Sequence, residues 1–333
     1  MVAKLKPLSD QTIVITGASS GIGLSSARRA AERGARVVLS SRNGPELEKI
    51  VEGIRGKGGR AAHVVADVSK REDLDRLAEE AIKAFGGFDT WVNNAGLGIF
   101  GRLDQVSDED HHRLFEVNFW GLVYGTQIAA AHFRQKGGAI INLGSVVSDV
   151  AFPVQGMYCA SKHAIKGFTD AFRMELEEAG APVSVTLIKP ASIDTPFPIH
   201  AKNYLDEEPT LPPPIYQPED VADAILYAAQ HGGRDYYVGG GGKLMSSLNK
   251  HIPSAIDWMA TRMVGMESSG PPNRPREGSL HAVAADGRVN GDPKSMVRHS
   301  VYTNAQIHPL ATAAMVAAGV AGLAFLARSS SRA

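Results

Sequence analysis

A run of β-forming residues at 12–16 breaks into Gly17-Ala18-Ser19-Ser20-Gly21-Ile22-Gly23 and continues as a helical pattern to Arg33. Three glycines at that spacing allow a tight strand-to-helix turn and let backbone approach a ligand closely. The helix start beyond them presents N–H groups and the positive end of a dipole, which suits a pyrophosphate. The same residues would also serve an ordinary loop, and the surrounding pattern decides between the two readings. Further β-rich runs follow at 36–40, 61–66, 88–92, 139–143, 183–188 and 236–238. Helix-length segments at 70–85, 108–134, 157–178 and 218–230 lie between them. Such alternation implies right-handed βαβ crossovers. The expected fold is therefore α/β, a doubly wound parallel sheet of seven strands with helices on both faces.

Composition removes several function classes. Lys+Arg and Asp+Glu balance at 35 each, so no overall field recruits nucleic acid, an acidic surface or a polyanionic substrate. Cys159 is the only cysteine, which excludes an intrachain disulfide and a multi-cysteine metal site. The eleven histidines, including His111 and His112, show no ligand spacing backed by clustered carboxylates, and no metal is expected. Cys159 itself reads as a small buried helix residue, because no histidine is placed to activate it. The amino end carries two lysines but no apolar stretch long enough for a secretory signal, so a cytoplasmic location is expected.

Beyond about residue 242 the alternation stops. The catalytic domain is expected at 8–245, followed by a helical extension at 246–267 whose stripe is Ile252, Ala255, Ile256, Met259 and Met263. That stripe fits a core or oligomer face, or the wall of a lipophilic pocket. Residues 268–309 read as a flexible linker, since 268–293 hold four glycines and four prolines. The segment 310–327 carries no charge and is followed by Arg328 and Arg332. As a helix it would reach about 27 Å against a hydrocarbon core of about 30 Å. Eight of its residues are alanine, which drives insertion weakly. A membrane tail anchor and a packed soluble helix both remain open.

Tyr158 and Lys162 are four residues apart in a helical pattern and so share a face. Bringing a phenol from about pH 10 toward neutrality by three units takes roughly 4 kcal/mol, part of which a fixed ammonium supplies. Alone, this spacing is that of many exposed helical pairs. Ser145 stands thirteen residues upstream of Tyr158 at the end of an apolar run, where a strand-end turn residue is the plain alternative. The second strand ends in Ser41-Arg42, where an acidic residue would suit the ribose 2′-hydroxyl of NAD and a guanidinium suits the 2′-phosphate of NADP. NADP(H) is thus expected over NAD(H), with a solvated surface charge as the alternative for Arg42.

Taken together these motifs resemble the short-chain dehydrogenase/reductase family, ordinary single-domain branch, over about residues 8–240. Thr16 to Gly23 matches its glycine motif, Asp67-Val68 its adenine-contacting pair, and Asn93-Asn94-Ala95-Gly96 its motif after the fourth strand. Asn118, Ser145, Tyr158 and Lys162 match its catalytic tetrad. The resemblance implies a Rossmann fold with a dinucleotide on Gly17, Ser19, Ser20, Gly21, Ile22, Gly23, Ser41, Arg42, Asp67, Val68, Asn94, Ala95, Gly96, Tyr158, Lys162, Pro190 and Thr195. It implies that Ser145 bonds the substrate oxygen and that Tyr158 gives or takes its proton. Lys162 would lower the phenol pKa and bind the nicotinamide ribose, and Asn118 would hold a water relaying protons to Lys162. Homodimers or homotetramers through helices 108–134 and 157–178 are implied as well. One departure stands out: Pro190-Ala191 replaces the family's usual Pro-Gly, placing a methyl where backbone freedom is usual. Thr195 stays available for the nicotinamide carboxamide.

The loops expected at the strand ends are mostly apolar: Leu97 to Phe100, Val146-Val147, Val150 to Pro153 and Phe197 to Ile199. Residues 192–216, with six prolines, resemble the family's mobile lid. These features point to carbonyl and secondary-alcohol interconversion on a lipophilic small molecule. The same apolar residues would also simply pack the loops. An NAD-dependent alcohol dehydrogenase, a catalytically silent cofactor-binding regulator and a membrane-tethered structural partner are the rival readings.

Overall fold

A computed structural model describes residues 4–267, 278–283, 287–292, 295–314 and 317. In chain order the strands are β1 (Thr12–Thr16), β2 (Arg36–Ser41), β3 (Arg60–Val65), β4 (Thr90–Asn93), β5 (Ile99–Phe100), β6 (Gly138–Leu143), β7 (Val183–Pro190), β8 (Lys202–Asn203), β9 (Ile215–Tyr216), β10 (Asp235–Val238) and β11 (Val297–Arg298). Seven of them form one parallel sheet in the order β10-β7-β6-β4-β1-β2-β3. The helices are α1 (Gly21–Glu32), α2 (Gly44–Gly56), α3 (Arg71–Phe85), α4 (Asp108–Phe115), α5 (Gly121–Phe133), α6 (Gly156–Glu178), the single turn α7 (Phe197–His200), α8 (Pro218–His231), α9 (Gly240–Asn249), α10 (Pro253–Glu267) and α11 (Val301–Ile307).

The two-residue period of the strands builds two cores at once. Ile13 and Ile15 of β1 and Val37 and Leu39 of β2 pack with Leu24 of α1 and Ile225 of α8. Val14 and Val38, between them in sequence, pack on the opposite face with Leu77 of α3 and Phe133 of α5. Fully buried strands between two helical layers account for the nearly continuous apolar runs. Strand order reverses direction at β1, which pairs with β2 on one side and β4 on the other. Ligands of such sheets bind beyond the carboxyl ends of the strands at this reversal.

The structure adds one helix and differs from the expectations at three places. Helix α2 occupies 44–56, where Asn43 caps it by accepting from the Glu46 amide at 3.2 Å and Pro45 sits in the first turn. The single helix expected at 108–134 is interrupted at Glu116–Trp120 by a π-helical turn. That wider turn carries Asn118, which is 1% exposed, beneath the loop after β4. The expected catalytic boundary at 245 falls inside α9.

The third correction concerns the linker. Among the described residues of 268–309, Leu280 is fully buried in the core, β11 pairs with β9, and α11 packs against α8 and β10. Glycine and proline content signals irregular backbone, not lack of docking, and here single apolar residues and backbone hydrogen bonds fasten an irregular path. Residues 315–316 and 318–333, most of the expected 310–327 segment, lie outside the described residues. No helix among the described residues is long and apolar enough to cross a membrane.

Candidate active site

The glycine turn is held shut from behind. Gly17 and Gly21 have φ of +64° and +53°, and a Cβ on Gly23 would lie 2.2 Å from the Gly17 carbonyl oxygen. Asn94 donates through Nδ2 to the carbonyls of Thr16 and Gly17 at 2.9 and 3.0 Å. The Thr16 hydroxyl in turn accepts from the amides of Asn94 and Ala95. The second asparagine of the Asn93-Asn94 pair therefore braces the glycine turn, while the first is buried in the sheet. Asn93 accepts from Trp91 Nε1 at 2.8 Å and donates to Asn142 at 2.8 Å.

One cavity runs from this turn to the ends of β2 and β3. Its walls include Gly17, Ser19, Ser20, Gly21, Ile22, Ser41, Arg42, Asp67, Val68, Asn94, Ala95, Gly96 and Thr195, so the structure brings together thirteen of the expected cofactor residues. Helix geometry leaves the Ile22 and Gly23 amides without intrahelical partners at the start of α1. Free amides lie at one end of the cavity and the Arg42 guanidinium lines the other, so both ends offer donors suited to anionic groups. Burial by itself pushes Asp67 up, but bonds from Arg113 and Ser69 outweigh it and hold the carboxyl below the usual carboxylate range. The Arg113–Asp67 ion pair is 2.6 Å long.

A second cavity, about 280 Å³, opens beyond the ends of β6 and β7 and holds Ser145, Tyr158, Lys162 and Pro190. Asn94, Gly96, Ile22, Thr195 and Phe197 line both cavities, so the two meet along these residues. Ser145 lies at the end of β6 as the N-cap of the turn Val146–Ser148, and its hydroxyl bonds the Tyr158 phenol. Asp149, closing that turn, receives Lys166 at 2.5 Å and Lys189 at 3.2 Å, and these bonds hold its carboxyl well below the usual range despite burial. The ion cluster ties the end of the turn to α6 and β7, while Ser145 itself is held by the Ser148 hydroxyl on its amide at 3.2 Å.

Tyr158 and Lys162 do share a face of α6. Burial pushes the Tyr158 phenol up, the Cys159 thiol beside it adds to the rise, and the Ser145 hydroxyl opposes both. The Lys162 ammonium lies 5.7 Å from the centre of the phenol ring and donates to the Leu143 carbonyl at 2.8 Å. Burial lowers Lys162 to about 8. Asn118 uses its side chain on the Leu97 backbone at 2.7 and 3.0 Å and on Ser161 at 3.2 Å. It thus holds in place the loop that lines both cavities. Cys159 is buried, and His163 one turn on bonds its carbonyl at 2.9 Å and not its thiol.

A lysine with a pKa near 8 loses its charge as pH rises through that value. If the cation is needed, kcat/KM for the cofactor, which reports groups of the free enzyme, should fall on the alkaline side with a midpoint near pH 8. A profile flat to pH 10 would show that the charge of Lys162 is not required.

Residues 11–204 match the short chain dehydrogenase family. The chain is a short-chain dehydrogenase/reductase. An uncharacterized oxidoreductase, YxnA, of Bacillus subtilis is 47% identical over 96% of this chain and 91% of its own length. A 3beta-hydroxysteroid dehydrogenase of Eggerthella lenta is 38% identical over 67% of this chain and 87% of its own. Among solved structures, an alcohol dehydrogenase from the archaeon Thermococcus sibiricus, complexed with 5-hydroxy-NADP, superposes with a TM-score of 0.60 at 28% identity. That match covers 68% of this chain and 95% of the other. The chain is thus an oxidoreductase acting on alcohol or carbonyl groups, with a nicotinamide cofactor on its Rossmann fold.

The departure of this short-chain dehydrogenase/reductase at Ala191 has a local solution. Ala191 is not among the residues with positive φ, and its amide donates to Val238 at 2.9 Å. Its methyl takes the space beside Gly239 and Gly242, where a Cβ would approach it to 3.0 and 2.9 Å. Sequence reading missed Arg113, which pairs with Asp67 from 46 residues away; it placed Phe197 in an apolar strand-end loop but not beside Tyr158, from whose ring it lies 5.3 Å. Nothing in a single sequence connects positions so far apart.

Proposed function

We propose that the enzyme interconverts a lipophilic ketone and its secondary alcohol using NADP(H), with Tyr158 as general acid and base. The observation that carries the substrate class is the second cavity. Apart from the polar side chains around Tyr158, its walls come from Val146, Phe152, Leu211, Met245 and Met263, among others. Such a wall favours an apolar body and leaves one oxygen to be recognised. A hydroxysteroid, the substrate type in the name of the Eggerthella relative, is one molecule of this kind.

The bound nicotinamide supplies or accepts the hydride. In the reducing direction the Tyr158 hydroxyl gives its proton to the substrate oxygen, and the raised phenol pKa keeps that proton in place at neutral pH. Ser145 donates to the same oxygen and fixes its position. Lys162 contributes a positive charge beside the phenol, which opposes the effect of burial as the phenolate forms. Asn118 acts here as the brace of the loop at Leu97.

For the cofactor, Arg42 supports NADP(H): its guanidinium lines the cleft at the end of β2, where NAD-binding chains use a carboxylate. A charged hydrogen bond contributes about 1.5–3 kcal/mol, so Arg42→Ala should cut the preference for NADPH over NADH by roughly ten- to a hundredfold. The deciding experiment is a panel of carbonyls and alcohols run with both cofactors. Turnover only of sugars and other polyols would reject the lipophilic substrate, and a native preference for NADH would reject the cofactor.

A further inference from the structure

One wall of the cofactor cleft comes from neither the sheet nor its helices. Residues 278–283 and 287–292, beyond α10, cross back over the dinucleotide half, and Ser279 and Val283 line the cavity beside Arg42 and Asp67. The near end is anchored by Leu280, fully buried beneath the sheet, and by His281, whose Nε2 lies 2.6 Å from Asp110 Oδ1. The Arg42 guanidinium donates to the carbonyls of Ser279 and Leu280, and Arg113 donates to Leu280 at 3.2 Å. The far end is fastened to the glycine turn itself. Gly287 donates to the Ser19 carbonyl at 2.9 Å, and Gly21 donates to the Arg288 carbonyl at 3.0 Å. Asp194 accepts from Asn290 and from the Gly291 amide, each at 2.9 Å.

We propose that these two stretches form a strap that belongs to the cofactor site, completing its wall and clamping the bound dinucleotide, so that cofactor exchange requires the strap to release. Its path covers the cleft without filling it. The strap takes the Gly21 amide but none of the described contacts reaches those of Ile22 and Gly23, and the cavity persists beneath Ser279 and Val283. Its carbonyls also orient Arg42, tying the strap to the end of the cleft that chooses between cofactors. The inference rests on nicotinamide-cofactor binding in this cleft and not on which of the two cofactors is preferred.

The test is hydrogen–deuterium exchange on the full chain, with and without saturating NADPH or NADH, binding being followed separately by cofactor fluorescence. Amides of 279–283 and 287–291 are expected to exchange at least about tenfold more slowly with cofactor bound. A second arm uses the variant Leu280→Ala/His281→Ala, which removes both near-end anchors and is expected to release NADPH about tenfold faster in stopped flow. Cofactor binding with strap exchange unchanged would overturn the clamp and leave the functional reading intact. Failure of both cofactors to bind would overturn both.

Discussion

Tyr158→Phe is expected to lower kcat for carbonyl reduction by about 10²- to 10⁴-fold, the usual worth of a positioned general acid. Phenylalanine keeps the ring that packs 5.3 Å from Phe197, so the shape of the cavity persists. What disappears is the hydroxyl bonded to Ser145 and the proton it carries. Cofactor affinity should change little, because the proposed phosphate contacts, at the glycine turn and Arg42, line the first cavity and Tyr158 lines the second. Comparing kcat with cofactor Kd separates the two effects. A variant that keeps most of its turnover would remove Tyr158 from its role, and a parent with no Tyr158-dependent turnover on any substrate would favour the silent-regulator reading.

Gly23→Ala is expected to weaken cofactor binding by about a hundredfold or more. Gly23 does not have positive φ, so alanine should fit the helix better than glycine by up to about 1 kcal/mol. The new Cβ, however, would lie 2.2 Å from the Gly17 oxygen and 2.6 Å from Asn94 Nδ2. Both atoms belong to the hydrogen-bonded brace of the turn, so relief of the clash must open the cradle. Gly53→Ala in α2 supplies the control: nothing lies within 4 Å of its Cβ, and a modest stabilisation is expected there. Cofactor titration and thermal melts distinguish the cases, and a Gly23→Ala enzyme with native affinity would show that the turn tolerates opening.

The sheet was legible because buried strands write themselves as apolar runs and their helices as a different period. The glycine turn, Ser145, Tyr158 and Lys162 were legible because each sits at the end of such a run or within one helix, and spacing along the chain fixes spacing in the fold. The structure places Ser145 at the end of β6 and sets Tyr158 and Lys162 on one face of α6. Interactions between distant positions were not legible. Arg113, near the end of α4, meets Asp67, just beyond β3, only in the folded chain, and the π-turn that carries Asn118 is a single turn with no periodic signature of its own. Residues 278–283 and 287–292 carry no periodic signal for another reason: their hold on the fold depends on the single side chain of Leu280 and on backbone hydrogen bonds that any sequence could make.

Ala191 bears on how much freedom its neighbours have to change. Its methyl and a side chain at 239 or 242 would claim the same volume, since the approach distances are 3.0 and 2.9 Å. Position 239 is closed to a side chain in any case by its φ of +108° and by the Tyr216 ring 2.5 Å away, and position 242 by Val146 at 2.4 Å, so the Ala191 methyl is a second barrier at each. The methyl therefore imposes nothing that Tyr216 and Val146 have not already imposed, and returning position 191 to glycine would free neither neighbour.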